Sequence, residues 1–462
     1  MRERFISIII IAFLIINIAG FMISFNPYIA ENYSESEPFT TDLIAGKNTK
    51  VGEIRVWNDD EYLYVKYIIT ATEDGWSLVE THLAVAKDLN DIPHTKRCNP
   101  IPGKFPYKTY HDPPTVGYTY VIPLSDIDAS VGDELYIAAH AVVQKTTWDL
   151  PEEETMYLSD SGLKGSNMDG TNIYRYSLDD VEEKAHLEYI THIPAPEFDQ
   201  VDALACTPDG TTIYAIDRYS QHIAKIDVAT GNWWDLGVIS DLPGGVVLAA
   251  FSPSGELYIA SQDTNILYIL DVNTLTLTPL GRVRYLSGDF KFLGADMVFD
   301  ANGALYVWTN YRDNVQSLGL YVVDLSTMSA TYLGAPTEAF FFMGLAIRGS
   351  GTGYLTGSMH AEPKDNPNES YIYTMDPDSP GTKFSKYFTY LNGEKYFMGY
   401  GDMTVGELAK PIKEETETAW GAGYEFRTAC CQCCCKGRGC CIGKGGNWAT
   451  YFTYTVQPYE EQ

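Results

Sequence analysis

One phrase recurs along the chain: an inner strand, a Gly turn, a Tyr-rich strand, a strand ending in Asp, and a strand carrying Leu-Gly. Its clearest copy runs from Ala203 to Gly237: Ala-Leu-Ala-Cys-Thr-Pro-Asp-Gly, Thr-Ile-Tyr-Ala-Ile-Asp, Ile-Ala-Lys-Ile-Asp-Val-Ala-Thr-Gly and Trp-Trp-Asp-Leu-Gly. No strand in such a unit can bury both faces alone. Units of roughly 45 residues with four short strands therefore stack face to face, as propeller blades do.

Sorting the segments by strand type gives a count. Second strands are expected at Met156–Asp160, Ile213–Asp217, Leu257–Ser261, Leu305–Thr309 and Tyr354–Ser358. Third strands end at Asp179, Asp227, Asp271, Asp324 and Asp376, and fourth strands start at His186, Trp233, Leu277, Ala330 and Phe384. Inner strands begin near Ala203, Leu248, Asp296, Gly344 and Asp402. The first set lacks its inner strand, and the last inner strand, Asp402–Gly406, has no followers. The C-terminal strand is thus expected to complete the first blade and close a five-bladed ring, which hides edges that an open array would expose. A ring of six or seven blades is the competing count.

The copy at Ala203 resembles the prokaryotic YVTN-type repeat, with Pro208-Asp209-Gly210 at the turn and Ile226-Asp227-Val228 closing the third strand. Ser252-Pro253-Ser254-Gly255 with Leu270-Asp271-Val272 follows it less closely, and Asp300-Ala301-Asn302-Gly303 with Val323-Asp324-Leu325 more loosely still. The resemblance covers about 155–408. It implies a propeller of the kind found in secreted and surface-layer proteins, and no particular ligand, because propellers host both enzymes and binding modules.

The N-terminus bears on the compartment. Arg2 and Arg4 precede an apolar run from Phe5 to Phe25, a pattern shared by signal peptides and by uncleaved anchors. Either reading places the rest outside the membrane, in the extracellular space or cell envelope, with membrane contact only through residues 5–25. The net charge of −29 argues against nucleic acid, whose phosphates need basic patches. Spread-out acidic residues suit a solvated surface. The 34 tyrosines, without helical periodicity, point to an all-β chain. Two sequons, at Asn32 and Asn368, carry meaning only in an exported chain.

The flanks read as one β-sandwich split by the propeller. Strands are expected at Val51–Trp57, Tyr62–Thr70, Glu80–Ala86, Tyr118–Pro123 and Glu134–Gln144, and again at Asn447–Val456. The back segment is too short to fold alone. Ring closure would bring the propeller's ends together, as insertion into a host loop requires. Phe105–Lys108, Ala138–Val143, Thr418–Gly421 and Asn447–Ala449 resemble a secreted prokaryotic β-sandwich module, for which the resemblance implies no activity. His140 lies in that module, at a strand position whose facing the sequence leaves open. The divisions are 1–30, signal peptide or anchor; 31–152, first part of the sandwich; 153–411, propeller; and 412–462, second part.

A loop in the last part holds Cys430, Cys431, Cys433, Cys434, Cys435, Cys440 and Cys441. In an oxidising compartment clustered thiols become disulfides, and Cys98 would make the count even at eight. Cys206, on an inner strand, would stay a buried free thiol. Alternatively the spacing is similar to metallothionein, and soft thiolates favour Zn or Cu. Neighbouring cysteines pair poorly with each other, which weakens a purely local disulfide scheme. Intermolecular cross-linking and a dispensable insertion complete the alternatives.

Catalytic signatures are sparse. The sequence has no Gly-x-Ser-x-Gly elbow, His-Glu-x-x-His helix, P-loop or dinucleotide fingerprint. Asp296 and Asp402 hold matching positions at the start of inner strands, with Asp202 one place off. Inner strands line the channel, so these carboxylates would either hold a Ca ion or cap strand starts. The fold expected is therefore all-β: a five-bladed β-propeller inserted into a β-sandwich, with an N-terminal hydrophobic helix. The function expected is a cell-surface binding or structural protein whose partners are other surface proteins or glycans. The alternatives are a metal-dependent hydrolase or lactonase with its site in the channel, and a thiol-rich metal-binding protein.

Overall fold

The computed structural model describes residues 33–149, 155–162, 169–294, 296–336, 342–348, 355–360, 370–377, 380, 384–425 and 449–458. The apolar run at 5–25 and the loop cysteines Cys430 to Cys441 lie outside them. Among the described residues the secondary structure is strand with four short 3-10 turns, and no helix is long and apolar enough to cross a membrane.

The middle of the chain folds into four-stranded antiparallel meanders, each ordered from inside to outside. Two form separate sheets: Val201–Cys206, Thr212–Asp217, His222–Asp227 and Trp233–Val238; then Val246–Phe251, Leu257–Ser261, Ile266–Asp271 and Thr276–Arg282. A third runs through Asp296–Phe299, Leu305–Thr309, Gly319–Asp324 and Ser329–Gly334. Its outer edge is covered in parallel by Arg284–Tyr285. A fourth runs through Phe342–Arg348, Leu355–His360, Tyr371–Met375 and Phe384–Leu391.

The remaining meander is built from both ends of the segment. Met403–Val405 pairs antiparallel with Met156–Asp160, Met403 opposite Leu158. Gly170–Asp179 and Lys184–Pro194 then continue outward. The C-terminal strand thus completes the first sheet, as the strand sorting predicts. The inner strands neighbour one another in cyclic order, from Val201–Cys206 around to Met403–Val405 and back. This is a β-propeller arrangement. One departure from a regular ring is a parallel ladder joining two outer strands, Lys184–Leu187 against Phe388–Leu391.

Both flanks enter one sheet. Its order is Tyr424–Glu425, Thr450–Thr455, Glu134–Asp149, Lys410–Gly421, Phe39–Ala45, Thr49–Asn58, Tyr62–Ile69 and Gly117–Pro123. Trp76–Ala86 pairs with Glu134–Asp149 and with Tyr107–Thr115. Where a sandwich of two sheets was expected, this single ten-stranded sheet curls into a nearly closed barrel. Tyr120 on one end strand reaches Thr81 across the gap, donating its hydroxyl to the Thr81 carbonyl at 3.0 Å. Alternation explains the curl: Leu135, Ile137, Ala139, Ala141 and Val143 all face the interior.

The barrel core does not end at the barrel. Its apolar cluster continues through Val298, Tyr306, Trp308, Leu320 and Val322 into Phe342, Leu345, Tyr371 and Tyr373, which lie between two propeller meanders. Gly117, on the barrel's end strand, permits this approach. A Cβ there would lie 3.2 Å from both Val322 and Thr331 side chains.

Candidate functional site

The inner strands bring Asp296 and Asp402 together. Asp296 is 1% exposed and Asp402 0%. Each bridges to a neighbouring strand: Leu345 N–H donates to Asp296 Oδ2, and Leu204 N–H to Asp402 Oδ2 at 2.6 Å. Met297 N–H donates to Asp296 Oδ1 at 2.6 Å. Asp402 Oδ1 receives no donor. Burial raises both carboxyls well above the ordinary range, and the charge of Asp296 pushes Asp402 further. The two buried carboxyls act on each other, which favours one of them staying protonated.

Asp202 stands apart from the pair. It accepts from Arg218 Nη1 at 2.8 Å and Gln200 Nε2 at 2.7 Å. Burial pushes its carboxyl up to about 6 against the opposing pull of Arg218. Ca takes six to eight oxygen ligands. Among the described residues, no group of three His, Cys, Asp or Glu could hold an ion.

Of the cysteines, Cys206 is buried and free, and burial raises its thiol far above the ordinary value. Such a thiol is inert. Cys98 is 3% exposed. It packs with Phe105, Ala138, Trp420 and Tyr451 on the outer face of the barrel sheet. His140 points to that same face and meets His82, Nδ1 to Nδ1, at 3.1 Å.

Sequence reasoning missed the polar groups between barrel and propeller. His111, on Tyr107–Thr115, donates from Nδ1 to Asp324 Oδ2 at 2.5 Å. Its Nε2 lies 3.1 Å from Thr81 Oγ1, which lies 2.9 Å from the Tyr120 hydroxyl. Burial is the largest single influence and works to raise Asp324, but the bond and charge of His111, with the hydrogen bonds from Ser326 and Thr327, together hold the carboxyl below its ordinary value. Asp324 is the Asp that closes a third strand in the repeat. Its Oδ1 caps the turn, accepting from Ser326 N–H at 2.9 Å, as Asp227 and Asp271 do in their turns. Only the tertiary fold leaves its Oδ2 for His111.

A second contact involves Lys66 and Glu35. Lys66 is 3% exposed, and its Nζ donates to the Tyr332 carbonyl. Burial pushes the amine down to about 8, partly offset by Glu35. The Glu35 carboxylate accepts from the Tyr285 hydroxyl at 2.6 and 2.7 Å. Lys66 falls within Tyr-Leu-Tyr-Val-Lys-Tyr-Ile-Ile, on the face that alternates away from Val65 and Tyr67. In a lone sheet that face would meet water, so its burial has no local signal.

No family model and no curated protein matches the chain. Solved structures similar to it include hydrazine synthase of Kuenenia stuttgartiensis, with 14% identity over 42% of this chain and a TM-score of 0.28. This chain spans about half of that one, 51%. TolB of Acinetobacter baumannii is 12% identical over 60% of this chain and 80% of its own, with a TM-score of 0.35. A Bacteroides thetaiotaomicron protein of unknown function is 12% identical over 84% of this chain and 99% of its own, with a TM-score of 0.34. The propeller arrangement rests on this chain's own strand pairing.

Proposed function

We propose that this is an exported cell-surface protein whose five-bladed propeller, carried on a split barrel-like domain, serves as a rigid binding or structural scaffold. The observation that carries the reading is the cyclic order of inner strands, closed by Met403–Val405 on Met156–Asp160. A ring closed by non-neighbouring segments resists fraying and holds its connecting loops in place. Exposed rings at Tyr189, Tyr219 and Trp234 supply apolar contact surface on two neighbouring meanders. Such rings suit protein or glycan partners. A disulfide at Cys98 would belong with export, because structural disulfides persist in oxidising compartments.

Protease treatment of intact cells of the native host, followed by unreduced peptide mapping, tests this reading. The expected result is cleavage of the chain from outside the cell and a Cys98 peptide joined to one from the loop holding Cys430 to Cys441. A chain protected inside the cell, with Cys98 reduced, overturns it. Purified chain should also bind isolated envelope, with binding weakened several-fold by Trp234→Ala or Tyr219→Ala.

A further inference from the structure

We propose that His82 and His140 form a two-imidazole site for Zn(II) or Cu(II) on the outer face of the barrel sheet. The inference stands independently of the surface-binding role. The two residues are direct partners across an antiparallel pair, Trp76–Ala86 against Glu134–Asp149. Their neighbours Leu83, Ala139 and Ala141 point into the core. His82 and His140 therefore point outward together, beside Trp420 and the Cys98 cluster.

Three observations define the ligand atoms. The first is the Nδ1 to Nδ1 distance of 3.1 Å. A tetrahedral ion with metal–nitrogen bonds of about 2.0–2.1 Å holds two nitrogens about 3.3 Å apart. The second is Glu80, whose Oε1 lies 3.2 Å from His82 Nε2. A carboxylate only accepts, so Nε2 carries the proton and the Nδ1 lone pair faces His140. Carboxylate–histidine–metal arrangements use this relay to orient a ligand and raise its basicity. The third is Trp420, which meets the His140 ring edge-on at 4.8 Å and 68° and holds its orientation.

Without an ion, His140 Nδ1–H donates to His82 Nδ1 across the same gap. Binding then requires His140 to move its proton to Nε2, a tautomer change that leaves the net charge of the pair unaltered. With two protein ligands, the remaining coordination positions belong to water. The side chain of Glu80 is 39% exposed, whereas His82 and His140 are 6% and 7% exposed, so entry of the ion and its waters requires the covering side chains to move.

The test uses the full chain, stripped with chelator and with accessible thiols blocked by N-ethylmaleimide so that cysteines do not take the probe. Zn(II) is titrated calorimetrically at pH 7, and Cu(II) binding is followed by electron paramagnetic resonance. The expected result is one ion per chain and a Cu(II) spectrum showing coupling to two nitrogens. His82→Gln and His140→Gln should each weaken Zn(II) binding at least about tenfold, and Glu80→Gln about 10- to 100-fold. Zn(II) should also raise the melting temperature of the wild type and leave that of either histidine variant unmoved. This difference is read within each protein, so a variant of lower basal stability still reports. Equal Zn(II) affinity in wild type and both histidine variants, or the absence of an imidazole-bound Cu(II) signal, overturns the proposal and leaves the pair a hydrogen bond.

Discussion

Buried ionisable residues divide by whether a partner holds their charge. His111 and Asp324 are each at most 2% exposed and bond each other across the barrel–propeller boundary. Removing one member of a buried pair strands the other, at a cost of about 3–5 kcal/mol. His111→Ala should show that loss in urea denaturation, whereas Asp227→Asn, at the same repeat position but facing water, should show a much smaller one. The pH sign follows from Asp324's depressed folded value. It contributes stability above the ordinary carboxylate pKa of about 3.9, and loses it as pH falls through its lower folded value. Asp296 and Asp402 have the opposite sign. Their folded values are raised, so their contribution is full in acid and is lost as pH rises above about 3.9 toward those values. Asp402→Asn removes one of the two raised carboxyls, offers an N–H on that side chain and keeps an oxygen for Leu204 N–H. The variant should match or exceed wild-type stability at pH 7 and show a flatter profile between about pH 4 and 7. A Ca-dependent rise in melting temperature, lost in the same variant, would instead identify the pair as an ion site.

Strands were legible where a period and a turn signal coincided. The second strand expected at Leu257–Ser261 and the one at Leu305–Thr309 are found at those bounds. Pro253-Ser254-Gly255 and Asn302-Gly303 mark their turns through local chemistry, which needs no tertiary context. Phe39–Ala45, Tyr107–Thr115 and most of Lys410–Gly421 were not legible. The last is exposed from Lys410 to Thr418 and lacks an apolar face to betray it. It is a strand because the long partner Glu134–Asp149 pairs with it, from Lys410 opposite Asp149 to Trp420 opposite His140. Ring closure also depends on close packing that pattern reading does not see. A Cβ at Gly344 would meet Met403 Cγ at 2.6 Å and its backbone N at 2.8 Å. Gly344→Ala should therefore push apart two inner strands and cost about 1–3 kcal/mol. Hydrogen exchange should quicken in Met156–Asp160, the strand that Met403–Val405 closes. Gly103→Ala, which meets nothing within 4 Å, is the matched control and should leave exchange in that strand unchanged.

At the scale of the molecule, pairing and packing point in different directions. Pairing separates the barrel sheet from the propeller sheets, which is the separation that sequence patterning suggests. Packing joins them through one apolar cluster from Leu43 to Met375 and through His111, Lys66 and Glu35. Excising residues 155–409 and joining the ends keeps every barrel strand except Lys410–Gly421 connected as before. It also bares Gly117 and the faces around it, and leaves Lys66 and His111 without their propeller partners. The excised barrel should consequently unfold at lower denaturant than the barrel within the full chain, and should bind a dye specific for exposed apolar surface. Changing Lys66 and His111 to residues content in water should recover little, because most of the lost burial is apolar. A barrel that unfolds at the same denaturant concentration in both settings would show that the shared cluster contributes nothing to it. The measurement thus asks whether the chain behaves as two folding units or one, a property that strand period does not encode because it resides in the faces left over after every strand has found its partner.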